Sequence, residues 1–228
     1  MPFYFDQYYL YLVLPAFILS LFAQIKVKST FAKYSNVKCS RGITGVQAAA
    51  LLLRSNNIND VKIEAVRGSL SDHYSPSDKK LRLSEPVYGV PSIAAVGVAA
   101  HETGHAIQHA VHWSPLALRS TLVPVANFGS TLGPWLAIAG LAVFPPLYLV
   151  GIILYSAAVL FYIVTLPVEF NASARAIAIL RANNVLTENE LKGVKKVLTA
   201  AALTYVASAL TAIMSLLRLI LLANRRRR

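Results

Sequence analysis

From Leu122 to Leu166 the chain carries no charged residue. A bilayer crossing takes about 20 residues of helix, so a run of about 45 is too long for one span and right for two. Phe144-Pro145-Pro146 marks the turn between them, because a proline pair cannot continue a helical hydrogen-bond ladder. The spans are expected near 122–143 and 147–166. Pro124, Asn127, Gly129, Ser130 and Pro134 interrupt the first. Such residues usually face protein or a cavity rather than lipid.

Two further stretches have the length and character of spans. Residues 7–25 are almost entirely apolar, with tyrosines at the start. A cleaved signal peptide would have a basic start and a small-residue cleavage site. Here Asp6 precedes the stretch, and Lys26, Lys28, Lys33, Lys38 and Arg41 follow it, so an uncleaved anchor is expected. The Thr187-x-x-Glu190 pattern is a capping box that starts a long helix. That helix is apolar from Leu198 to Leu222 apart from Arg218. Composition agrees: the chain is 56% hydrophobic, against roughly half in soluble domains. Its formal net charge of +12 fits the basic excess of membrane-protein loops. No basic stretch is interleaved with aromatics, so nucleic acid is not an expected partner. Cys39 is the single cysteine, which excludes an internal disulfide and a thiolate metal site.

Residues 26–115 read as a mostly soluble region. Thr44 is expected to cap a helix that ends near Asn56-Asn57. Val61 to Val66 and Leu81 to Leu83 alternate as short strands, and Ser75-Pro76-Ser77-Asp78 is turn chemistry. Pro91-Ser92 opens a helix expected from Ile93 to His112, with Pro115 as its stop.

That helix carries His101-Glu102-Thr103-Gly104-His105. Residues four apart share a helix face, so both imidazoles can grip one metal ion while Glu102 stands beside it as a general base. A catalytic zinc takes three protein ligands and keeps one open position. The third ligand is not His109 or His112. A His-x-x-Gly-x-x-His continuation would need glycine at 108 and histidine at 111, where the chain has Gln108 and Val111. In a continuous helix, His109 stands about 6 Å further along the axis than His105. Both are expected to be helix-surface or interfacial histidines. Acidic residues are scarce, and between Glu102 and Glu188 there is one, Glu169. It lies where a span leaves the bilayer, and a charge there needs a reason. The alternative is a solvated glutamate at a helix N-terminus. His101, His105 and Glu169 are therefore the expected ligands, and Glu102 the expected base. Oxyanion donors would come from His73, Tyr74 or Arg175, although His73 could equally be a turn histidine bonded to its own loop.

The segments Leu70-Ser71-Asp72-His73-Tyr74-Ser75-Pro76, Leu81-Arg82-Leu83-Ser84, Ser92 through His109, and Leu166-Pro167-Val168-Glu169-Phe170-Asn171-Ala172-Ser173 carry a resemblance. Together they resemble the bacterial YugP-type membrane zinc metallopeptidases, over nearly the whole chain. That family is similar to the HtpX-like membrane gluzincins, which take a glutamate as third ligand from a later helix. The resemblance implies the same for Glu169. In the HtpX-like pattern an aspartate follows that glutamate by four residues. Here the position is Ser173.

The expectation is a mostly α membrane protein with a small α+β catalytic region and about four transmembrane helices around a zincin-type His-Glu-x-x-His helix. Its parts would be an anchor at 7–25, a catalytic region at 26–115, a transmembrane hairpin at 122–166, a third-ligand helix and basic segment at 167–197, and a membrane helix at 198–222. Its function would be zinc-dependent endopeptidase, with one Zn2+ per chain, a lipid bilayer around it, and protein or peptide substrates in or near the membrane. A non-catalytic metal-binding scaffold is the alternative, and a transporter would place its ligands within the spans. The basic segments after the first span and after Glu169 lie on one side, which points the metal site toward the cytoplasm of a bacterial cell membrane. Arg225 to Arg228 would then sit outside if the last helix crosses, against the same rule.

Overall fold

The computed structural model describes residues 6–226. A π-helical turn, Tyr9–Val13, leads into α1 (Leu14–Ser35). Then come α2 (Gly45–Ser55), β1 (Lys62–Val66), β2 (His73–Ser75), β3 (Lys80–Ser84), α3 (Glu85–Tyr88), α4 (Ile93–Ala110), α5 (Ser114–Ala142), α6 (Pro146–Ala182) and α7 (Glu188–Arg226). It is a mostly α membrane protein with a small sheet. Among the described residues, four helices are long and apolar enough to cross a bilayer: Tyr9–Ser35, Ser114–Ala142, Pro146–Ala182 and Glu188–Arg225. Of the terminal arginines, Arg227 and Arg228 lie outside the described residues.

The chain divides into two compact units. Of the described residues, one holds those up to Gln24, Ala117–Pro167 and those from Leu203 onward. It presents large apolar side chains outward, among them Phe17, Phe22, Phe128, Trp135, Ile153 and Ile163. That is the arrangement expected where lipid is the solvent, since every backbone polar group is satisfied within a helix. Inside this unit α5 and α6 run very close. A Cβ on Gly129 would strike the Leu154 carbonyl, and one on Gly151 would strike the Ala137 backbone. Small residues let membrane helices approach this way, so Gly129 faces protein as expected, whereas Pro124 and Asn127 are exposed. Arg218, the lone charge of the last apolar stretch, pairs with Asp6 at 2.6 Å and lies over the Tyr9 ring.

The other unit, Ile25–Leu116 and Val168–Ala202, is built around α4. Ser92 caps α4 by accepting from Ala95 N. Two apolar clusters flank it. One gathers Leu53, Ile58, Leu81, Leu83 and Val87 against Ala95, Ala99 and Ile107. The second gathers Leu52, Leu180, Val185, Leu191 and Val194 against Val96 and Ala100. A helix covered on both sides needs small residues, which explains the alanines before His101. The sheet has the order β1-β3-β2, with β1 parallel and β2 antiparallel to β3. Thr44 and Gln47 form a capping box at the start of α2, and Thr187 and Glu190 exchange the corresponding bonds before α7.

Four features depart from the sequence expectation. α4 stops at Ala110 rather than His112, and His112 takes a positive φ of 50°. Pro115 does not end that helix but sits in the first turn of α5, where a missing N–H costs nothing. Pro167 lies inside α6, so the expected second span and the Glu169 helix are one continuous element. His73–Ser75 is a strand paired with β3 that was not expected, and the expected turn follows it at 76–79.

Candidate metal centre

His101 and His105 stand one turn apart on α4, with ring centroids 4.8 Å apart at 83°. Glu169 approaches from α6 and is only 2% exposed. Its Oε2 lies 3.2 Å from His101 Nε2 and 3.6 Å from His105 Nε2. One ligand atom from each of the three residues falls within 4.8 Å of the others. Metal–ligand bonds of about 2.0–2.1 Å at a tetrahedral zinc put neighbouring donors about 3.3 Å apart. The two measured edges bracket that distance, and two imidazoles with a carboxylate are a zinc donor set, so the residues present fit the ion.

The three meet because α4 and α6 approach closely at one point. A Cβ on Gly104 would come within 2.6 Å of the Ala172 carbonyl oxygen. Ala172 is three residues beyond Glu169, on the same side of α6. The second ring nitrogen of each histidine also has a partner. Ser173 Oγ is 3.2 Å from His101 Nδ1, and Gln108 Oε1 is 2.9 Å from His105 Nδ1. Gln108 in turn donates from Nε2 to the Val168 carbonyl at 2.9 Å and to Asn171 Oδ1 at 3.0 Å. Burial pushes the His105 imidazole down, but its bond to Glu169 and the nearby carboxylates of Glu102 and Glu169 more than reverse this.

Glu102 is buried, at 7% exposure, and contributes to the field at His105. The three candidate oxyanion donors are dispersed. His73 is exposed on β2, with Nδ1 donating to the Ser71 carbonyl at 2.9 Å and Nε2 accepting from Arg82 at 3.2 Å. Arg175 donates from Nε to Asn171 Oδ1 at 2.7 Å. Tyr74 is bonded through its hydroxyl to His109 Nδ1 at 2.8 Å, beside a cavity of about 380 Å3 that His109, His112 and Asp60 also line. Burial, helped by the Asp60 charge, pushes the Tyr74 phenol up to about 12.

Residues 9–224 match the family described as "Putative neutral zinc metallopeptidase". The chain belongs to this family. Among curated proteins it is similar to "Putative membrane protease YugP" of Bacillus subtilis (strain 168), with 49% identity over 216 residues, covering 94% of this chain and 96% of that protein. No solved structure matches. A zinc peptidase family and a membrane protease relative agree with the His-His-Glu cluster and the four apolar helices.

Sequence reasoning assigned no role to Gln108 or Asn171. A signal for Gln108 was present: His101, His105 and Gln108 fall at i, i+4 and i+7, one stripe of a helix. Ser173 could be placed only by its offset of four from Glu169. Asn171 had no sequence signal, since its role depends on how closely the two helices approach.

Proposed function

We propose that this membrane protein is a zinc-dependent endopeptidase of gluzincin type, holding one zinc ion on His101, His105 and Glu169, with Glu102 as general base. The observation that carries this reading is the convergence of three buried or half-buried donor atoms from two helices, with a buried carboxylate next in sequence to the first of them. A zinc ion held there supplies Lewis acidity to a substrate carbonyl and to the attacking water. Glu102 accepts the proton of that water and hands it to the leaving amine. Ser173 and Gln108 hold the two imidazoles in orientation. The oxyanion donor is proposed to come from His73, Tyr74 or Arg175, and Tyr74 is protonated throughout the physiological range. It touches His109, which shares a face of α4 with Glu102 two turns away.

Substrates are peptide bonds of membrane or membrane-proximal proteins, reached from the cytoplasmic face, where the positive-inside rule places the lysines and arginines that follow the first span. Purified protein is expected to retain about one zinc per chain, the stoichiometry of a three-ligand catalytic site. Glu169→Ala should weaken zinc binding by more than the roughly 10–100-fold that loss of a supporting partner costs. Chelator competition measures both. Wild-type affinity in Glu169→Ala would remove Glu169 from the ligand set.

A further inference from the structure

We infer that Gln108, locked by Asn171 and Arg175, fixes the tautomer of His105 and thereby aims its Nε2 lone pair at the metal. The inference rests on the zinc reading above. It begins at a group with no choice of role. An arginine Nε–H can only donate, and Arg175 Nε lies 2.7 Å from one end of the Asn171 amide, so that end is the oxygen. Asn171 Oδ1 also lies 3.0 Å from one end of the Gln108 amide, which must then be the nitrogen. The Val168 carbonyl, which can only accept, lies 2.9 Å from that same nitrogen and gives the same answer independently. Both amide protons of Gln108 are thus engaged, and its Oε1 faces His105 Nδ1 at 2.9 Å. An oxygen there requires the proton on Nδ1. A neutral imidazole with Nδ1–H has its lone pair on Nε2, the atom 3.6 Å from Glu169 Oε2.

Gln108 is fully buried, so a flipped or unpaired amide would find no water to replace these partners. Asn171 and Arg175 are therefore positioning residues two and three steps from His105. On the Nδ1 side of His101 the partner is the Ser173 hydroxyl, which can donate or accept and so imposes no tautomer by itself. Control of the donor set is thus asymmetric and rests on the His105 side.

The test uses the full chain in detergent, with zinc affinity read by chelator competition, the ligand field by the visible spectrum of the cobalt-loaded protein, and folding by the melting temperature. Gln108→Met and Asn171→Leu are expected to weaken zinc binding about 10–100-fold, the range for loss of a partner behind a metal ligand. Both should also alter the cobalt spectrum. Asn171→Asp keeps an oxygen for both donors, so it should recover most of the affinity that Asn171→Leu loses. A merely structural role would lower the melting temperature in these variants while leaving the zinc constant and the cobalt spectrum alone, and that result overturns the inference. Wild-type protein that binds zinc tightly, with Gln108→Met and Asn171→Leu binding as tightly, overturns it as well and leaves the zinc reading standing. Wild-type protein that binds no zinc overturns both.

Discussion

Glu102→Gln is expected to keep its zinc and lose cleavage by about 10²–10⁴-fold, the usual contribution of a positioned base. The substitution changes little in shape and removes none of the three proposed ligands, His101, His105 and Glu169. What it removes is a proton acceptor. Glu102 is next in sequence to His101 and therefore about 100° around the helix from it, beside the ligand face and not on it. An amide at that position can hydrogen-bond a water but cannot take its proton. Stability should change little, and any shift should be upward, because a buried carboxylate without its charge is easier to bury. The measurement is zinc content and single-turnover cleavage of an unfolded membrane protein, on wild type and variant side by side. Cleavage at the wild-type rate with zinc retained would assign the base elsewhere. Lost zinc would mean that Glu102 supports the donor set.

Much of this architecture was legible in the sequence, for physical reasons that can be named. The paired spans follow from a charge-free run too long for one crossing, and the turn between them falls at the prolines. Glu169 stood out because a carboxylate beside apolar helix is costly and therefore rare. Prolines misled twice. Pro115 and Pro167 both looked like boundaries, yet one opens α5 and the other rides inside α6. A proline removes one N–H and crowds the preceding turn, and a first helical turn or a well-packed membrane helix absorbs either loss. Strand β2 escaped because His73-Tyr74-Ser75 has no repeating apolar position, unlike Leu81-Arg82-Leu83, and runs straight into turn residues. Gln108 shared the stripe of the two histidines, but the Gln108–Asn171–Arg175 chain could not be read as a chain, for another reason. Each bond in it joins partners that meet only where α4 packs on α6, or lies in line behind such a meeting.

That crossing carries the second large expected effect. Gly104→Ala should cost the protein much of its zinc affinity while costing little stability. The two terms can be weighed. Alanine improves a helix interior over glycine by about 1 kcal/mol, and overpacking a tight contact costs about 1–3 kcal/mol. The net destabilisation is therefore at most about 2 kcal/mol, by those two ranges. The geometric cost falls on one place. The new methyl would lie 2.6 Å from the Ala172 carbonyl oxygen, a backbone atom that no rotamer change can move aside. Relief requires α4 and α6 to separate locally. Glu169 is on α6 within one turn of that carbonyl, and its 3.2 and 3.6 Å approaches to the two imidazoles lengthen with it. Displacements of about 1 Å at a reacting centre cost on the order of 10²-fold in rate. Gly89→Ala is the control, because a Cβ there meets nothing within 4 Å. Chelator competition and melting curves on the two variants separate the outcomes. Zinc affinity falling in Gly104→Ala and not in Gly89→Ala, with both proteins folded, is the expected result. Equal affinity in both would mean that the close approach of α4 and α6 does not govern where Glu169 stands.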